Sequence, residues 1–232
     1  MTRDAMLLLL TGAAGIVDAI SYLGLGHVFT AMMTGNTVLL GLALAQGAVY
    51  AALRSLLALF GFVAGVALGA LFTGTESDQL AWPPGVTRAL TVEAVLLAAF
   101  AVVWGLTVGG RSDGELHVLI ALSGLAMGVQ SAAVRRLGVP GIATTFITGT
   151  LTNLVIDVVA WHRATPGDPV RWEQRIGLLA GVFVVYGLGA FLGAFFLERA
   201  PRLVTTAPLL AVVAVVTSAA RQRAVTSIPA RG

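Results

Sequence analysis

One acidic residue lies deep within the first apolar stretch of the chain. Asp18 is about 13 residues into a predicted helix, or roughly 20 Å along its axis at 1.5 Å per residue. A carboxylate at that depth must face the bundle interior, find a partner or carry a proton. Helical spacing aligns it with Thr11, Gly15 and Tyr22. This pattern favours a site for a proton, a cation or a polar solute, and the alternative is a polar clamp between helices.

Two Thr-Gly motifs form the second group of candidates. MTGN stands at residues 33–36 and ITGT at residues 147–150. Glycine lets a helix break or approach another backbone closely, and Thr or Asn side chains satisfy the freed groups. In the second motif Thr150, Asn153 and Asp157 share one helical face. Two breaks at matching positions predict a site between two repeats, whereas the alternative is ordinary helix packing.

An internal repeat relates these features. Residues 7–26 align with residues 119–138 at seven identical positions of twenty, and the Thr-Gly pair of each motif follows in the same order. We predict one repeat over about 5–112 and another over about 113–232. Gln130 then stands where Asp18 stands in the first repeat. An even number of spans between the copies makes the repeats parallel, and an odd number makes them inverted.

The predicted binding residues carry carboxylate, amide or hydroxyl groups. They are Asp18, Thr34, Asn36, Gln130, Thr148, Thr150 and Asn153. Asp18 would carry the coupling charge, and the other side chains would form hydrogen bonds with the solute. Two further acids, Glu93 and Asp157, lie near predicted span ends, where we expect them to reach the interface.

The composition determines which elements position these residues. The chain has 232 residues, of which 57% are hydrophobic and 11% charged, whereas a soluble domain is about a quarter charged. The mean hydropathy is +0.92, so lipid must cover most of the surface. This excludes an ordinary soluble enzyme, a disordered protein and a nucleic-acid binder. The chain has no cysteine, and no Walker, nucleophile-elbow or zinc motif, so we expect no enzymatic activity, metal or cofactor.

The expected fold is all-α: a polytopic bundle of transmembrane helices that forms a single membrane domain over residues 1–232. The candidate spans are 5–26, 28–46, 50–73, 87–108, 117–137, 142–161, 174–197 and 203–220. Six to eight of these cross the membrane, because the second could be re-entrant and the last is short. If all eight cross, nine arginines lie on the side of the N-terminus and five on the other, which places the N-terminus in the cytoplasm.

The chain resembles the YoaK family of bacterial membrane proteins. The resemblance rests on GIVDAISY at 15–22, GHVF at 26–29 and MTGN at 33–36, and in the second half on GVQSA at 128–132, RRLG at 135–138, Thr144-Thr145 and TGTLT at 148–152. It implies a multi-pass inner-membrane protein of uncharacterised role with about six or seven spans. Ser131 departs from the family pattern, which has Asn after the Gln, and this would weaken an amide contact.

The residues together predict a small transporter-like protein that binds a small polar solute or ion between its repeats. Coupling to protons would act through Asp18. The alternative is a membrane scaffold or regulatory subunit that moves no solute. We also expect a homo-oligomer packed through small-residue faces, namely Gly61-Gly65-Gly69, Gly124-Gly128 and Gly189-Gly193.

Overall fold

The computed structural model describes residues 1–74, 81–141, 144–145, 147–165 and 170–226, and these are helical with short connections. The helices are α1 (Arg3–Gly24), α2 (Met33–Ala45), α3 (Val49–Thr73), α4 (Pro84–Thr107), α5 (Asp113–Arg136), α6 (Ile147–Arg163), α7 (Trp172–Arg199) and α8 (Thr206–Thr226). The all-α prediction is confirmed. Five helices, α1, α3, α4, α5 and α7, are long and apolar enough to cross a membrane, and α8 has 21 residues.

Capping residues explain where several of these helices begin. The Thr2 side chain accepts a hydrogen bond from the Ala5 amide at the start of α1. Ser112 and Glu115 form a reciprocal capping box at the start of α5. Proline occupies the first position of α4, where its missing N–H costs nothing.

One end of the bundle, here called the Arg111 end, gathers the last turns of α1 and α4 with the first turns of α3 and α5. The Arg111 guanidinium donates to the Gly24 carbonyl at 3.0 Å. Arg54 of α3 contacts Gly26 just after α1, and its guanidinium lies 4.0 Å from Asp113. Helices α1 and α4 therefore run towards this end, and α3 and α5 run away from it.

The opposite end, here called the Arg3 end, gathers the start of α1, the chain after α5 and the start of α7. A cavity of about 250 Å³ has Arg3, Val139 and Arg171 among its lining residues. The Gln222 side chain near the end of α8 donates to the Met1 carbonyl. Thus α7 runs in the direction of α1, and α8 runs in the direction of α3 and α5.

Helices α2 and α6 enter and leave the bundle at the same end. The sequence left open that segment 28–46 is re-entrant, whereas the expectation that segment 142–161 is a span is corrected. Residues Gly26 and His27 have positive φ of 82° and 64°, so the chain turns after α1 and becomes helical again only at Met33. The 13 residues of α2 then return to the Arg111 end, where α3 begins. Helix α6, with 17 residues, lies between two helices that meet at the Arg3 end. Its predicted start at 142–143 lies outside the described residues.

The predicted small-residue faces pack helices of the same chain against each other. Gly65 and Gly128 bring the backbones of α3 and α5 together, and Gly189 and Gly193 do the same for α7 against α1. Contacts between two copies through these faces would require the bundle to open. A homo-oligomer therefore remains a prediction that needs other surfaces.

Candidate functional site

Asp18 holds the start of the re-entrant helix α2. Its side chain is 3% exposed, and Oδ1 accepts backbone N–H groups of Thr30 at 2.9 Å and Ala31 at 2.7 Å. Oδ2 accepts the N–H of Met32 at 3.1 Å. Met32 is the N-cap residue of α2 and makes no side-chain cap. Asp18 thus supplies from another helix the negative group that the positive end of a helix dipole favours.

The fourth donor to this carboxylate comes from α7. The Tyr186 hydroxyl donates a hydrogen bond to Asp18 Oδ2. Both residues line a cavity of about 270 Å³ together with Tyr22, Phe29 and Met32. Three of the four donors are backbone groups, so Tyr186 is the only side chain among them. Its hydroxyl is therefore the donor that can move away without unfolding the start of α2.

Asn36 fixes the segment that enters the bundle. It is fully buried; its carboxamide oxygen accepts the N–H of Phe29 at 2.9 Å, and its amide nitrogen donates to the Phe29 carbonyl. The Phe29 ring in turn stacks on Tyr22 of α1, with ring centroids 4.9 Å apart. Thr30 adds a hydroxyl contact of 2.8 Å to Ser21. Both candidates, Asp18 and Asn36, therefore orient the same re-entrant segment.

A second polar cluster occupies the corresponding place between α5 and α6. Gln130 is fully buried, and its amide nitrogen donates to Thr144 Oγ1 at 2.9 Å and to the Leu10 carbonyl at 3.1 Å. Ser131, expected to weaken a contact here, shares a hydrogen bond of 2.6 Å with Thr145. Gln130 lies six residues before the end of α5, and Asp18 lies six residues before the end of α1. Both side chains thus meet the re-entering chain about 9 Å inside the helix end.

The remaining predicted residues divide between buried and exposed positions. Thr150 is 1% exposed, and Asn153 packs against Gly141 and donates to the Gly149 carbonyl at 2.8 Å. Thr34 and Thr148 are exposed, so they lie on the outer sides of α2 and α6. Leu10 and Asp18 are eight residues apart on α1, which separates the two clusters by about 12 Å along that helix.

Sequence reasoning missed Tyr186. Its position was itself a signal, because a polar tip near the middle of the 28-residue helix α7 is far from both interfaces. Asp157 is buried, and its carboxylate lies 2.6 Å from the Arg175 guanidinium near the Arg3 end. The described residues contain no cluster of His, Asp and Glu side chains that could hold a metal ion.

Comparison with known proteins places this arrangement in a family. Residues 6–220 match the family described as "Protein of unknown function (DUF1275)". The chain belongs to the DUF1275 family. The chain is also similar to the UPF0700 transmembrane protein YoaK of Bacillus subtilis (strain 168), with 46% identity over 156 residues, which are 67% of this chain and 67% of that protein. No solved structure matches the chain.

Membership confirms the resemblance seen in the sequence and the membrane assignment. The similar YoaK protein is a transmembrane protein, and this DUF1275 member has five long apolar helices. The chain is therefore a multi-pass membrane protein, and its long apolar helices contact the lipid bilayer. The family description assigns no activity, so the role must be argued from the two polar clusters.

Proposed function

We propose that this DUF1275 protein is a small transporter-like protein of the bacterial inner membrane, which binds a small polar solute or ion between two repeats. The observation that carries the proposal is the pair of re-entrant helices that are each preceded by residues bonded to a buried polar side chain, Asp18 before α2 and Gln130 before α6. Broken helices that begin inside a membrane bundle are the usual sites of ion and solute binding in transporters.

The packing supports an inverted relation between the repeats, at about 5–112 and 113–232. In the two repeats, helices α1 to α4 correspond in order to helices α5 to α8. The packing of α1 on α7 then corresponds to the packing of α5 on α3, and the packing of α4 on α5 corresponds to that of α8 on α1. Each re-entrant helix also packs on the helix that follows it. Helices α1 and α5 run in opposite directions, as expected when an odd number of spans separates the copies.

The cavity beside Asp18 is where we propose that a ligand enters. A solute with an N–H or O–H donor, or a cation, would take the place of the Tyr186 hydroxyl on Asp18 Oδ2. The backbone donors of Thr30, Ala31 and Met32 would stay in place and hold α2. Asp18 would then carry the charge that couples binding to a proton or cation, as the sequence predicts.

The alternative is a membrane scaffold or regulatory subunit that transports nothing. One observation favours it: Asp18 is fully supplied with donors from its own chain. A clamp of this kind needs no ligand.

A thermal-shift screen of the purified protein in detergent distinguishes the two functions. The panel contains Na⁺, K⁺, small amines and amino acids at two pH values, tested on wild type, Tyr186→Phe and Asp18→Asn. We expect a compound that stabilises wild type and Tyr186→Phe but not Asp18→Asn, and that is then taken up by liposomes containing the protein. Asp113→Asn, at the Arg111 end, is the matched control and should respond like wild type. If no compound shifts any variant, the scaffold function is favoured.

A further inference from the structure

Glu93 of α4 is a buried acid that the proposed function does not use. The sequence suggested that it reaches the interface near a helix end, but the structure places it at 0% exposure. Among the described residues, neither carboxyl oxygen has a hydrogen-bond partner. By contrast, Asp18 accepts four hydrogen bonds at a similar burial.

The neighbours of Glu93 on its own face of α4 are apolar. Leu90 and Leu97 lie on the same face of α4, one turn to either side, and are fully buried. They belong to one apolar core with Met127 of α5 and Val212 of α8. An isolated carboxylate in such a place is far more costly than the neutral acid.

Charged groups on the helices around α4 lie towards the ends of the bundle. Helix α4 packs against α3, α5 and α8. The charged or titratable side chains of these helices are Tyr50 and Arg54 of α3, Asp113, Glu115, His117, Arg135 and Arg136 of α5, and Arg221 and Arg223 of α8. On α4 itself the other charged residue is Arg88. In the described part of the chain none of them forms a salt bridge with Glu93.

The polar groups nearest along α4 lie towards the Arg3 end. Thr87 accepts hydrogen bonds from the Arg223 guanidinium at 3.0 Å and the Trp82 indole at 3.1 Å. Thr87 precedes Glu93 by six residues, or about 9 Å along the helix. A water that reaches this cluster is therefore about 1.7 helical turns from Glu93 along the axis of α4.

We propose that Glu93 is a proton-binding site in the interior of the bundle. The folded protein holds the proton on the Glu93 carboxyl group and exchanges it with water from the Arg3 end when the packing of α4 against α8 opens. This site is separate from the clusters around Asp18 and Gln130, and it does not depend on whether a solute is transported.

Infrared spectroscopy of the purified protein in detergent at pH 8 tests the proton directly. Wild type, Glu93→Gln and Asp18→Asn are compared, each with glutamate labelled with ¹³C at the side-chain carboxyl carbon. We expect wild type and Asp18→Asn to show the C=O stretching band of a labelled protonated acid, which shifts in D₂O, and Glu93→Gln to lack it. The labelled band is read in wild type alone if Glu93→Gln does not fold. A labelled spectrum with carboxylate bands only would overturn the proposal.

The pH dependence of unfolding gives a second readout. An exposed glutamate in the unfolded chain loses its proton above about pH 4.3. If the folded protein keeps the proton on Glu93, its free energy of unfolding decreases as the pH rises, because unfolding then releases a proton. Relative to Glu93→Gln, the unfolding constant of wild type should increase about tenfold per pH unit until Glu93 itself ionises. Parallel profiles for the two proteins from pH 5 to about pH 8 would contradict the proposal.

Discussion

The bond network of Asp18 predicts a large effect of Asp18→Asn on the start of α2. The substitution keeps the shape of the side chain but replaces one acceptor oxygen with an NH₂ group. If the remaining oxygen still accepts the N–H groups of Thr30 and Ala31, the new NH₂ group faces the N–H of Met32. Two hydrogen-bond donors then oppose each other. The Tyr186 hydroxyl can reverse its role and accept, so the main loss falls on Met32.

The magnitude follows from these bonds. A buried N–H left without an acceptor costs about 1–3 kcal/mol. The two retained hydrogen bonds become weaker because their acceptor is no longer charged. Loss of the negative charge near the positive end of the α2 dipole costs about 0.3–1 kcal/mol more. Relief of the cost of burying a charge offsets part of this. We expect a net loss of about 2–4 kcal/mol, which for a chain of this size lowers Tm by roughly 5–15 °C.

Thermal unfolding in detergent measures this loss, and cysteine labelling localises it. Tyr186→Phe removes one bond to a charged group and should cost less, about 1.5–3 kcal/mol. Because the chain has no cysteine, Met32→Cys provides a single thiol at the start of α2. In the Asp18→Asn background this thiol should react faster with a water-soluble maleimide. Unchanged Tm and unchanged labelling would refute the view that the carboxylate holds α2 in place.

Three further predictions concern packing, topology and the second cluster. A Cβ on Gly65 would lie 2.9 Å from Leu125 Cα, so Gly65→Ala should destabilise by about 1–3 kcal/mol in thermal unfolding. Gly41→Ala, with nothing within 4 Å, should be neutral or slightly stabilising. Single cysteines that replace Gln46 and Gly109 should both be labelled from the side of the membrane opposite the N-terminus. A chain with eight spans would place both cysteines on the side of the N-terminus. Gln130→Met should cost about 1–3 kcal/mol, because it removes two neutral hydrogen bonds.

Hydropathy predicted the long helices well but could not distinguish a span from a re-entrant segment. The predicted segments 50–73 and 117–137 lie close to the observed Val49–Thr73 and Asp113–Arg136. Segment 28–46 is as apolar as a span, yet its direction depends on the turn at Gly26 and His27 and on bonds to Asp18. Tyr186 was missed for a related reason. It meets Asp18 only because α7 packs along α1, a contact that no local pattern contains.

The arginines support the re-entrant arrangement independently of its hydrogen bonds. With eight spans, the Arg135-Arg136 pair lies on the less basic side, against the positive-inside rule. With α2 and α6 re-entrant, nine arginines of the described chain lie at the Arg3 end, namely Arg3, Arg88, Arg135, Arg136, Arg163, Arg171, Arg175, Arg221 and Arg223. Four lie at the Arg111 end, namely Arg54, Arg111, Arg199 and Arg202.

In the re-entrant arrangement the Arg135-Arg136 pair thus lies on the more basic side, and the N-terminus lies on the same side as it does with eight spans. The positive-inside rule therefore predicts that the Arg3 end faces the cytoplasm. In this predicted orientation the start of α2 is reached from the outer side, and that of α6 from the cytoplasmic side. An acidic group, Asp18, therefore holds the outer re-entrant helix, and a neutral amide, Gln130, holds the inner one. If a cation is the ligand, this asymmetry favours its binding at the outer cluster.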